Sequence, residues 1–170
     1  MKQRTIIWAL LAGGAIAGAL DILFAISFAA YNGMAPMRLL QTVASGAFGK
    51  AAFSGGASTA VLGLVFHFAL SYLWTTVFLV AAWRVPALLR RPLVSGIVFG
   101  VVVFLIMRLL VLPFSAFPFP VTFKPLGSTL DLLSHMLLFG VPIAISASKT
   151  ALARRPDKSF NPFAEGGAIQ

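Results

Sequence analysis

Four apolar runs, each about 20 residues or longer, constrain this chain more than any other feature. They fall near 5–31, 58–83, 93–112 and 128–147. A helix of about 20 residues crosses the ~30 Å hydrocarbon core of a bilayer. No water is available there to satisfy open backbone groups, so each run reads as a helix. Composition agrees: 59% of the residues are hydrophobic and 10% are charged, against roughly a quarter charged in a soluble domain. The expected fold is therefore all-α, a four-span transmembrane helical bundle. One transmembrane domain is expected over 1–153, followed by a flexible cytoplasmic tail over 154–170. The first run, after Met1-Lys2-Gln3-Arg4, is too long for a signal-peptide core and is interrupted by Asp21. It reads as an uncleaved span.

The net charge of +9 would suit a nucleic-acid partner, but the basic residues are dispersed among short loops and no RNA- or DNA-binding motif is present. They sort instead by membrane side. Nine lie on one side (Lys2, Arg4, Arg84, Arg90, Arg91, Lys149, Arg154, Arg155 and Lys158) and three on the other (Arg38, Lys50 and Lys124), while Arg108 lies within a span. The excess marks the cytoplasmic face. It predicts a multi-pass protein of the bacterial inner membrane with both termini cytoplasmic. Cysteine is absent, which removes disulfides, thiolate metal sites and cysteine nucleophiles.

The outer loops carry structure of their own. In APMRLLQTVASGAFGKAAF (35–53), Met37, Leu40, Ala44, Ala47 and Ala51 recur at helical spacing, with Arg38, Gln41 and Ser45 on another side. This predicts an amphipathic helix lying in the interface or dipping into it. The prolines of PFSAFPFPVTFKPLG (113–127) forbid a continuous helix, and its aromatic residues suit the headgroup level.

Asp21 is the only acid of the first span, and it shares a helical face with Gly14 and Gly18. Gly14-Ala-Ile-Ala-Gly18 is a GxxxG, a pattern that permits close helix approach. Gly63 on the second span and Gly96 and Gly100 on the third offer similar small surfaces. Asp21 lies roughly 24 Å from the cytoplasmic start of span one and Arg108 roughly 22 Å from that of span three. The shared level predicts an Asp21–Arg108 ion pair; the other arrangement has Arg108 rising to the outer headgroups. His67 and Ser71 on span two, and Asp131, Ser134 and His135 on span four, converge on the same outer half. The seven residues form one expected buried polar cluster. Pro142 is expected to kink the last span.

HFALSYLWTTVF (67–78), Leu112-Pro113-Phe114-Ser115 and Leu133-Ser134-His135 together resemble the YagU-like family of bacterial inner-membrane proteins, over the C-terminal two thirds of the chain. In both, a His and a Ser open a span, a Gly-spaced span ends in a Pro-containing turn, and a Ser and a His open the last span. Arg108 stands where that pattern would have a His, and the first outer loop differs. The resemblance implies a four-span inner-membrane protein and brings no known activity.

The polar cluster allows several roles. Ser, His and Asp within membrane helices act as interhelical hydrogen-bond glue, which suits a structural or accessory subunit of a larger membrane complex, or a homo-oligomer. The same residues could serve a small proton-linked transporter or permeation protein, since histidine titrates near neutral pH. A further alternative is haem or a metal held between His67 and His135. Two histidines and two intramembrane acids are a sparse kit for catalysis, so no catalytic residue, no cofactor and a non-enzymatic role are expected, with the lipid bilayer as the constant partner.

Overall fold

A computed structural model describes residues 3–152; the tail expected over 154–170 lies outside the described residues. The architecture is all-α, and four of the helices are long and apolar enough to cross a membrane. α1 spans Gln3–Tyr31, α2 Pro36–Phe48 and α3 Gly56–Arg84, with a 3-10 segment, Gly49–Ser54, between α2 and α3. α4 is Pro92–Phe114 and α5 is Pro125–Thr150. Helix starts follow the sequence: Pro36, Pro92 and Pro125 each occupy the first turn, where a missing N–H costs no hydrogen bond. Gly33, with φ of 79°, takes the left-handed conformation that lets the chain leave α1.

The order of packing around the bundle differs from the order in sequence. α1 packs against both α3 and α5, and α5 packs against α4. α5 thus lies between α1 and α4. At the α4–α5 contact, Cβ atoms added at Gly100 and Gly140 would overlap the carbonyls of His135 and Gly96, and one at Gly96 would lie 2.6 Å from Val141 Cα. Backbone here meets backbone. The α1–α3 contact is looser: a Cβ on Gly14 would meet the Tyr72 ring, and one on Gly18 would lie 2.9 Å from Phe68. α3 and α4 meet mainly through rings, with Phe78 and Trp74 at 5.1 and 6.3 Å from Phe99. The core is built from Ala17, Phe78, Val103, Phe139, Ile143 and Ala144, while Leu11, Ile16, Leu23, Val65, Val98 and Leu109 face outward, as suits a hydrocarbon solvent.

α2 corrects the expected amphipathic face. Of the apolar series, Ala44 is buried but Met37, Ala47 and Ala51 are exposed, whereas Gln41 and Ser45 are buried. α2 lies on α3 at Gly63, where the Leu40 carbonyl leaves no room for a Cβ. Gln41 Nε2 donates to the Gly56 carbonyl at 3.0 Å and Ser45 Oγ to the Thr42 carbonyl at 2.7 Å. Between helices surrounded by lipid, close approach of small residues outweighs hydrophobicity in choosing the packed face.

Two π turns interrupt the last two spans, at Met107–Val111 and His135–Gly140. Each ends two residues before a proline, Pro113 and Pro142. Proline cannot donate to the carbonyl four residues back, and its ring crowds that carbonyl; a wider turn relieves the crowding without breaking the helix. α4 consequently continues through Pro113 to Phe114 rather than ending at 112.

Candidate functional site: a polar cavity between the helices

The π turns carry Arg108 and His135, and both residues line a cavity of about 490 Å³ to which all four spanning helices contribute. Asp21, His67, Ser71, Trp74 and Asp131 also line it. Its cover is formed by Leu39, Thr42 and Val43 of α2 and by the loop residues Phe117, Pro120, Val121 and Thr122. The cover is fastened where Ala116 N donates to the Gly46 carbonyl at 2.9 Å and where Phe53 packs 5.6 Å from Phe119.

Arg108 does not pair with Asp21. Its Nη2 donates to Asp131 Oδ2 at 3.0 Å and its Nη1 to the Thr122 carbonyl at 2.9 Å. Its guanidinium carbon stands 5.5 Å from the Phe104 ring and 5.4 Å from the Phe123 ring. Arg108 therefore has its counter-charge on the neighbouring helix, and it does not rise freely to the surface. The correction has a simple cause. Equal depth does not make two helices neighbours, and α5 presents its own acid on the near side of α4.

Asp131 also accepts from His135, whose Nδ1 lies 3.2 Å from Oδ1 and 2.9 Å from the Asp131 carbonyl. Both are acceptors, so Nδ1 carries the hydrogen. His67 Nε2 donates to the Gly18 carbonyl at 2.8 Å, so this nitrogen carries a hydrogen. Ser71 Oγ donates to the Gly14 carbonyl at 2.7 Å. The two glycines of the GxxxG thus do more than permit approach: they bare the carbonyls that His67 and Ser71 use.

The Asp21 carboxylate has, among the described residues, a single hydrogen-bond partner, with Ser134 Oγ donating to Oδ1 at 2.8 Å. Among the described residues, no basic side chain lies within ion-pairing distance of it. On the cavity wall Arg108 is bridged to Asp131, and the Asp21 carboxylate has the Ser134 hydroxyl as its hydrogen-bond partner.

A second cavity of about 670 Å³ adjoins the first and opens between the end of α1 and the start of α5. The two share Asp21, Leu39, Arg108, Thr122 and Asp131 in their walls, so the Arg108–Asp131 bridge and the Asp21 carboxylate stand at the partition. Reasoning from sequence did not find Thr122, Trp74 or Gly140. The buried indole N–H of Trp74 has no protein partner. Gly140 carried a signal, since a glycine on α5 is what a face opposing Gly96 and Gly100 requires. No group of three or more His, Cys, Asp or Glu side chains placed to hold a metal ion occurs among the described residues.

No family model, no curated protein and no solved structure matches the chain.

Proposed function

We propose that this chain is a small multi-pass protein of a bacterial-type inner membrane, with both termini cytoplasmic, that admits a small cationic solute to Asp21 and passes it between the two cavities. One observation carries the reading: Asp21 lines the cavity and, among the described residues, no basic side chain lies within ion-pairing distance of it. A lone carboxylate within a span is costly, and a cation entering the cavity would offset that cost. The excess of basic residues in one set of loops supports the orientation, and the four-span layout keeps the resemblance to the YagU-like family. The test is flux of radiolabelled methylammonium into proteoliposomes, with and without a pH gradient. Wild type should carry flux that Asp21→Asn abolishes. No flux above empty vesicles, or an Asp21→Asn variant equal to wild type, contradicts the reading.

The second reading is a non-enzymatic structural or accessory subunit of a larger membrane complex. It is favoured by the way His67, Ser71 and Ser148 each donate to a backbone carbonyl of another segment, at Gly18, Gly14 and Leu89; such bonds are worth roughly 0.6–2 kcal/mol each. Native mass measurement in mild detergent tests it: co-purifying subunits in fixed ratio support it, and a monomer with methylammonium flux rejects it.

A further inference from the structure

The second cavity has at its wall a cation, Lys124, that the first does not have. We propose that it is a binding site for a single phospholipid with an anionic headgroup, whose phosphate lies at Lys124 and whose acyl chain runs down the crevice between α1 and α5. The crevice exists because these helices pack closely along the later part of α5 and diverge toward its start. One wall of the opening is apolar, formed by Phe24 and Phe28, whose rings stack 6.0 Å apart. Leu126, 70% exposed, stands across from them at the start of α5.

The upper end is cationic. Among the described residues Lys124 has no ion-pair partner and no side-chain hydrogen bond. It immediately precedes α5, whose first turn has no side-chain cap. The backbone N–H groups of Leu126 and Gly127 are thereby free to add to the attraction of an anion. The acids that would repel it sit at the other end: Asp21 is about 10 Å back along α1 from Phe28, and Asp131 is about 9 Å further along α5 than Pro125 and is bridged to Arg108. A lipid matches this amphiphilic order, with charge at the rim and ring walls below. A cation at a lipid surface gives a preference of about fivefold for an anionic headgroup.

Native mass spectrometry of the full chain, with phosphatidylglycerol and phosphatidylcholine of equal chain length, tests the assignment. Wild type should retain phosphatidylglycerol in preference by about fivefold. Lys124→Gln should bring the two lipids to parity, while Arg38→Gln, a cation whose guanidinium instead lies 3.8 Å over the Phe53 ring, should leave the preference intact. Parity in wild type, a preference that survives Lys124→Gln, or an equal loss in Arg38→Gln would overturn the site. Glycerol phosphate binding as tightly as the lipid, in a Lys124-dependent way, would overturn the lipid as its occupant. This outcome does not depend on methylammonium flux, so either proposal can fail alone.

Discussion

Arg108 and Asp21 show how differently two charges can be accommodated in one membrane bundle. Arg108 is held by a carboxylate, a carbonyl and two ring faces, whereas Asp21 has one hydroxyl. Arg108→Leu leaves Asp131 with His135 alone and should destabilise the protein. Combining it with Asp131→Leu should recover about 1 kcal/mol, because each single change strands a charge that the double change removes. The pair is partly accessible, at 19% and 38% for the two side chains, so the coupling belongs in this modest range. The parallel cycle between Arg108→Leu and Asp21→Leu should show no coupling. Chemical denaturation in detergent micelles reads both cycles, and coupling between residues 21 and 108 would restore the pairing expected from depth. The seven polar residues themselves were legible in the sequence because polar groups are rare in apolar runs. Their partners were not, since hydrophobicity gives depth along a helix but not the direction in which a side chain points across the bundle.

At the scale of the elements, glycine sets which helices touch. α4 and α5 meet backbone to backbone at Gly96, Gly100 and Gly140, whereas Gly14 and Gly18 meet the rings of Tyr72 and Phe68. A ring can turn aside, but a backbone carbonyl cannot move without its helix. Gly100→Ala should therefore cost about 1–3 kcal/mol by overpacking, and Gly18→Ala should cost less. Thermal unfolding of the two variants decides the order, and an equal or reversed effect would contradict the close α4–α5 contact. The span limits were legible to within a few residues because runs of apolar residues and N-terminal prolines mark them. The face of α2 and the π turns were not. Gln41 and Ser45 are buried because a small-residue contact with Gly63 took precedence, and the wide turns before Pro113 and Pro142 are an accommodation that periodicity does not record.

At the scale of the whole molecule, the order α3–α1–α5–α4 is the feature that sequence conveyed least. It places α5 between the first and third spans, assigns Arg108 to Asp131, and leaves a gap between α3 and α4 that rings and a cavity occupy. The all-α four-span architecture follows from the apolar runs, but which helices become neighbours depends on how small surfaces fit together. From that order comes the central claim: Asp21 borders two chambers instead of being sealed in an ion pair. The absence of cysteine allows the most direct measurement, reaction of single-cysteine variants with a small water-soluble thiol reagent in intact membranes. Asp21→Cys should react, whereas Ala17→Cys, one turn away on α1 and fully buried, should remain unlabelled until the protein is denatured. If Asp21→Cys stays as inert as Ala17→Cys, position 21 is closed to water and the account of the cavity is wrong.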